Sequence, residues 1–459
     1  MKRLLAIFGV CCLGGVALAL NIPTPGGGGG DRPAAGKLIV HEWGTFTGFA
    51  GSDGVHVPIG ITVANDLPAF VVTRHEQAER QGVKLNEFIW DGGKGGGMLA
   101  LQRMETPVVY FYTDEPRDVS VAVDFPQGLL TEFYPPVRAM QPAFGQAPGE
   151  SSWVYREPTT QPAPKAAPAP PKPAKLERGA LDWGVVRLAP QRAGEQPQYM
   201  SDVPATPEAA AHYQYARETD AATVQFADRP AERHDERFLF YRGLGDFTLP
   251  VRLTARDDDH YELTNASGQP VPFAVMLRVA DGRARFAVYR DIGGAQSMTL
   301  PSGTVALDKV GDAIAHGLVA QGLFEKEARA MVKTWRSQWL GDAGTRVLYT
   351  VPRAVTDGLL PLRVTPTPDE TVRVLVGRID VITPPQEARI QSLMAAMTDR
   401  TTALAAEDAA FLRGFGRFVE PALDRAANLR GGENARHDRN RLRSLYYNAP
   451  KPTQAAAAQ

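Results

Sequence analysis

His41-Glu42 places an imidazole beside a carboxylate at the head of the string His41-Glu42-Trp43-Gly44-Thr45-Phe46-Thr47. These two groups could shuttle a proton or offer hard ligands to a metal ion. Two more carboxylates, Glu105 and Glu132, each stand in aromatic sequence, METPVVYFYT (104–113) and LLTEFYP (129–135). A separated carboxylate pair with aromatic platforms is how a glycosidase protonates and attacks a sugar bond. The candidate catalytic set is therefore His41, Glu42, Glu105 and Glu132. The bland alternative is packing. Adjacent residues of a strand point to opposite faces, so His41 and Glu42 meet one ligand only if the strand is bulged, for which Gly44 is the natural place. In a regular strand His41 and Trp43 pack on one face and Glu42 pairs with a neighbouring strand.

The remaining strings fall short of a motif. His75-Glu76-Gln77-Ala78-Glu79 has Glu79 where a zinc protease has its second histidine, and no third ligand is evident. Asp257-Asp258-Asp259-His260 lacks the spaced ligands and central glycine of a calcium loop. The glycine tract 92–97 contains Lys94 but not the Gly-Lys-Ser/Thr ending of a phosphate loop, and no Gly-x-Ser-x-Gly elbow occurs. Arg436, Arg439, Arg441 and Arg443 are expected to pack on carboxylates of the protein's own body, anchored by Leu442, Leu445, Tyr446 and Tyr447. No cofactor-binding residue or metal-ligand set follows from these patterns.

Both cysteines, Cys11 and Cys12, lie within the first twenty residues. Lys2-Arg3, the apolar run Leu4 to Leu20 and Ala17-Leu18-Ala19 have the order of a secretory signal with a small-x-small cleavage site. The residues ahead of each cysteine do not fit a lipoprotein signal. The expectation is export to the periplasm or beyond, with an uncleaved N-terminal anchor as the alternative. Cleavage would leave a cysteine-free chain, without thiol catalysis, disulfides or thiolate metal sites. Removing residues 1–20 takes Lys2 and Arg3 with it and leaves 48 basic against 51 acidic residues, a formal charge of −3. That balance gives nucleic acid or an anionic membrane nothing to bind. No later segment is long and apolar enough to cross a bilayer.

The elements that must position these groups read as follows. Residues 21–36 form a Gly/Pro-rich tether, and Lys37 to Thr47 is a strand. Ser52-Asp53-Gly54 turns it back onto Val55 to Val57. Phe70 to Arg80 is a short helix. Pro107 to Thr113, Val119 to Phe125 and Leu129 to Tyr134, separated by turns, have the pattern of an antiparallel meander. Gln161 to Lys175 holds six prolines, five alanines and three lysines, so it should be extended and exposed. Strand-like Trp153 to Tyr155 and Leu181 to Val186 on either side favour an insertion (157–178) within one β-rich body, residues 37–300, over a linker between two. Beyond Pro301 helical periodicity sets in, with Ala306 to Gln321 and Lys326 to Leu340 as a hairpin around Gly322-Leu323-Phe324. Strands return at Arg346 to Val351 and Thr371 to Ile382. Thr383-Pro384-Pro385-Gln386 starts a helix by capping box and proline at its first position, and a helical face resumes from Ala403. The tail, 449–459, is low in complexity.

HEWGTFT, METPVVYFYT and LLTEFYP together resemble strings found in uncharacterised exported bacterial proteins. The resemblance covers most of the N-terminal half and, less distinctly, the stretch around Met331 to Trp339. It implies export and brings no activity and no functional residue.

The sequence thus predicts a mixed α+β protein: a large, sandwich-like antiparallel β body, then a smaller α+β region (301–448) ending in helices. Two function classes remain. One is a non-catalytic envelope-associated binding or structural protein, whose partner is an envelope protein or polymer; it requires an exposed apolar or aromatic patch on a sheet. The other is a secreted carboxylate- or metal-dependent hydrolase, glycosidase-like, using His41, Glu42 and nearby acids. It requires His41 to converge in a cleft with Glu42, Glu105 or Glu132.

Overall fold

The computed structural model describes residues 36–60, 71–74, 99–141, 178–191, 197, 199, 211–229, 232–245, 247–397 and 403–450. The longer strands, in chain order, are β1 (Ile39–Ala50), β2 (Gln102–Tyr112), β3 (Arg117–Phe125), β4 (Gly128–Tyr134), β5 (Gly179–Ala189), β6 (Thr223–Arg229), β7 (Leu239–Gly245), β8 (Val271–Ala280), β9 (Arg283–Ile292), β10 (Gly344–Thr350), β11 (Leu362–Thr365) and β12 (Glu370–Val381). The helices that matter below are α1 (Leu307–Val319), α2 (Glu325–Arg336), α3 (Pro384–Ala395), α4 (Ala406–Arg413), α5 (Val419–Arg430) and α6 (Glu433–Asn448).

All 12 residues of β1 are buried, which demands a partner strand on each edge and cover on each face. Its edges are taken by β12, in parallel from Ile39 opposite Glu370 to Ala50 opposite Val381, and by β2, antiparallel. Through these strands the larger sheet runs β9, β8, β10, β12, β1, β2, β7, β4. A second sheet runs β6, β5, β3, β11. It covers one face of the first, so Val40 and Phe46 of β1 share a core with Val119, Val121, Val123, Leu181 and Trp183. On the other face Trp43 packs with Ile314, Leu318, Met331 and Trp335 of the α1–α2 hairpin. Farther along, Phe49 meets Ile390, Leu412, Phe418 and Leu423 of the terminal helices. The fold is mixed α+β, a large antiparallel-rich sandwich-like body followed by C-terminal helices. Among the described residues no helix is long and apolar enough to cross a membrane.

Several local readings change. The 107–134 stretch is not a meander. β2 and β4 both pair with β7 in the larger sheet, whereas β3 between them pairs with β5 and β11 in the second. The burial patterns give the reason: β3 alternates, with Val119, Val121, Val123 and Phe125 facing inward, whereas β2 contributes Val109 and Phe111 to one core and Val108, Tyr110 and Tyr112 to the other. In the Phe70–Arg80 segment Val72–Thr73 is a short strand that extends the sheet beyond β4 and Arg74 is helical, whereas 75–80 lie outside the described residues. The helical face from Ala403 is interrupted after α4 by a 3-10 turn, Gly416–Phe418, where Gly416 takes φ +50°, a conformation glycine adopts without steric cost. The change of sequence character after Pro301 is also not a change of sheet, because β10 and β12 are inserted between β8 and β1. The signal, tether, glycine tract, His75–Glu79, Trp153–Tyr155 and the proline-rich insertion lie outside the described residues.

The other helix signals within the described residues hold. The α1–α2 hairpin forms as read. At the start of α3 the Thr383 N–H donates to Gln386 Oε1 at 2.9 Å, with proline at the first position. In α6, Arg439 and Arg443 pair with Glu420, and Leu442 is buried, whereas Tyr447 is exposed, its ring lying against Arg443 and Tyr446 at the surface.

Candidate functional site

β1 is continuous along β12, so its side chains alternate without interruption. The register shift opposite Trp43 and Thr45 places the additional residue on β2, and a Cβ on Gly44 would stand 2.7 Å from the Pro107 Cα. His41 and Glu42 therefore face opposite sides of the sheet, and each finds its own partner.

His41 points to the α1–α2 side. Its Nδ1 lies 2.6 Å from Glu327 Oε2, with both side chains about 1% exposed, so the imidazole donates and the carboxylate accepts. The same carboxylate oxygen accepts the Phe324 N–H at 3.0 Å, closing the first turn of α2. The rings of Phe324 and Tyr112 stand 4.6 and 5.2 Å from the imidazole. An imidazole–carboxylate dyad is what a general base needs, but aromatic packing fills the space where a substrate would have to sit.

Glu42 points to the inter-sheet side. It accepts from the Tyr241 hydroxyl and, at 2.6 Å, from Arg373 Nε. Arg373 also donates to Asp357 at 2.8 Å and to the Leu360 carbonyl at 2.6 Å. Burial works against the guanidinium charge, yet Glu42, Tyr241 and Asp357 outweigh it and hold the Arg373 pKa above its ordinary value. Burial, reinforced by the neighbouring Glu42 charge, pushes the Tyr241 hydroxyl well above its usual range.

Glu105 lies on the helix side of β2. Thr47 Oγ1 donates to its Oε2 at 2.8 Å, while Oε1 receives Arg417 Nη1 at 3.0 Å and lies 3.1 Å from Arg103 Nε. Burial alone would raise the pKa of this carboxyl, but Arg417 and Arg103 bring it down to about 2. Glu132, two strands away on β4, is partly exposed; it accepts from Thr131 and lies 3.9 Å from Arg242. Among the described residues, no two of the four candidates meet on a shared partner. Asp257, Asp258 and Asp259 are likewise engaged, with His260, Arg278 and Arg285. Among the described residues no group of three or more His, Cys, Asp or Glu is arranged to hold a metal ion.

Two features lay beyond the motifs. The first is an arginine cluster under the terminal helices. Asp380 of β12 accepts from Arg346 Nε at 2.9 Å and from Arg378, and Arg378 reaches Asp342 at 3.2 Å. Arg346 and Arg378 are fully buried, and Arg417 stands beside them over the Phe418 ring. Charged residues within the otherwise apolar run Val372 to Ile382 were the available signal, since a buried strand admits a charge only with a partner. The second is a groove of about 280 Å³ on the smaller sheet, lined by Pro135, Pro136, Val137, Trp183, Val185, Val186 and Phe226, with Arg138 at its rim. Trp183 Nε1 donates to the Pro135 carbonyl at 3.0 Å and fixes the floor, and Val185 is 71% exposed. Around it the outer face carries the ion pairs Arg138–Asp182, Arg187–Asp118 and Arg363–Asp124. The apolar surface is therefore a local groove in a charged face, not a broad patch.

No protein-family model and no curated protein matches this chain.

Proposed function

We propose that this is an exported, envelope-associated protein that acts by binding and not by catalysis, engaging a protein partner through the groove beside Trp183. The observation that carries this reading is the fate of the acid–base residues. His41, Glu42 and Glu105 are each buried against a partner of their own, on two faces of one sheet, and Glu132 lies on another strand. Buried ionised groups held in this way fix strands and helices in register. The groove is near the lower size limit for a small-molecule site, so it suits one or two aliphatic or proline side chains of an extended peptide better than a sugar polymer.

The test is to titrate the purified protein with extended aliphatic and proline-containing peptides, and with cell-wall glycan fragments, following the methyl resonances of Val185 and Val186 and assaying the same mixtures for hydrolysis. The expected outcome is saturable methyl shifts with peptide and no turnover. Turnover that disappears in Glu105→Gln or His41→Ala, with the fold retained, would establish the hydrolase instead.

A further inference from the structure

The larger sheet leaves most of one edge unpaired. On one side β9 is paired with β8 along Arg283–Ile292, whereas on the other the two-residue strand Val305–Ala306 reaches only Arg283 and Ala284. Among the described residues no backbone hydrogen bond reaches that outer edge between Arg285 and Asp291. The last strand of a ladder keeps alternate N–H and C=O groups unmet, and these are a template for a further strand. Other edges are cut short. The far end of the same sheet is Val72–Thr73, and one edge of the second sheet is the four-residue β11. By contrast β9 has ten residues and neither the proline nor the lysine that commonly blunts an edge.

The edge is also accessible. Arg285 to Tyr289 are half-buried, and Arg290 and Asp291 are exposed. In the loops at its two ends, a Cβ on Gly282, Gly293, Gly294 or Gly303 would meet nothing within 4 Å.

The open stretch, Arg285-Phe286-Ala287-Val288-Tyr289-Arg290-Asp291, is complementary to itself when reversed. Laid antiparallel on a second copy about a two-fold axis at Val288, Arg285 faces Asp291, Phe286 faces Arg290, and Ala287 faces Tyr289. These are an ion pair, a cation on an aromatic face and a small residue against a large one. Asp291 takes φ +53°, which aspartate tolerates, and closes the regular stretch. It is exposed and without an ion pair among the described residues. Arg283, diagonal to the incoming Asp291, bonds only Thr304, and Arg290 lies over the Phe273 ring. Asp259 and the Leu300 and Pro301 carbonyls hold Arg285 in place. Phe286 and Val288, packed against the α1–α2 core on their inner side, gain cover on the outer one.

We infer that the outer edge of β9 is a self-association surface, on which a second copy of this chain adds its own β9 antiparallel and joins two larger sheets into one. The inference is independent of the peptide-binding reading of the Trp183 groove, which lies on the second sheet.

A cysteine at the axis tests it, in the full chain carrying Cys11→Ser and Cys12→Ser. Directly opposed residues of antiparallel strands stand about 4.5–5.5 Å apart at Cα, within the reach of a disulfide, so Val288→Cys sets two thiols face to face. Arg290→Cys is more exposed, but in this register it stands roughly 13 Å from its copy, too far to bridge. Sedimentation of the wild type should show a concentration-dependent dimer, and Val288→Cys should oxidise to linked dimer about tenfold faster than Arg290→Cys, or more. A wild type that stays monomeric at every concentration overturns the inference, as does a Val288→Cys link formed no faster than that of Arg290→Cys. If Val288→Cys does not fold, amide exchange of the wild type decides. Protection of Phe286 to Arg290 should rise with protein concentration, and protection that does not rise refutes the surface.

Discussion

Replacing Glu42 by glutamine keeps the shape of the side chain and removes the charge facing Arg373. The Arg373 side chain is 2% exposed and that of Glu42 fully buried, so neither gains water in exchange. Asp357, which is 45% exposed, is then left as the carboxylate on Arg373, and the Tyr241 hydroxyl faces an amide. Removing one partner of a buried pair costs about 3–5 kcal/mol. Spread over an unfolding entropy of about 2.1 cal/mol/K per residue for roughly 400 residues, that is a drop of about 4–6 °C in Tm. The double variant Glu42→Met/Arg373→Met removes both charges and should recover most of the loss, because a buried pair is often no more stable than apolar residues of similar volume. Denaturant unfolding of the wild type, Glu42→Met, Arg373→Met and the double variant closes a double-mutant cycle, with an expected coupling of about 2 kcal/mol or more. A Glu42→Gln variant within about 0.5 kcal/mol of wild type, the range of an unremarkable surface change, would refute the idea that this residue is consumed by structure, and would return it to the catalytic candidates.

Other perturbations follow the same physics. The Glu105 carboxyl is lowered from an ordinary 4.5 to about 2, so its stabilisation is complete above pH 4.5 and is lost as the pH falls towards 2. The loss is about 3 kcal/mol, and unfolding of Glu105→Gln between those limits should show a correspondingly flatter pH dependence. Gly377→Ala places a Cβ 2.3 Å from the Tyr349 ring and should cost about 1–3 kcal/mol in denaturant unfolding; a neutral result would mean that β10 and β12 pack less closely than described. Asp380→Asn removes the carboxylate shared by Arg346 and Arg378 and should destabilise by at least about 3 kcal/mol, with faster amide exchange in β10 and β12 as a second readout.

Local signals in the sequence translated well where the structure depends on local chemistry. Gly322-Leu323-Phe324 connects two helices, Thr383 to Gln386 start a third, and Ser52-Asp53-Gly54 turns β1 onto His56–Val57. The alternation of β1 put His41 and Trp43 on one face and Glu42 on the other. What alternation does not encode is the partner. Glu327 and Arg373 lie 286 and 331 residues from the groups they hold, and only the tertiary fold brings them together. The misread meander has the same origin: β2, β3 and β4 look alike as strands, and only the cover over each face decides which sheet each joins. Arg417 was silent for another reason, because it sits in a short turn whose importance comes from what is packed beneath it.

The parallel pairing of β1 with β12 has a kinetic consequence. β1 takes one of its neighbours from residues 370–381, far along the chain. More than 300 residues must be made before that edge of β1 can be filled, and closing so large a loop is entropically unfavourable until neighbouring contacts are in place. Until then a strand that is buried along its whole length in the folded protein has an open edge, the condition in which strands associate with other chains. The central sheet therefore cannot be completed before residues 370–381 are made, and a chain shortened before Glu370 loses the middle of the molecule, not its end.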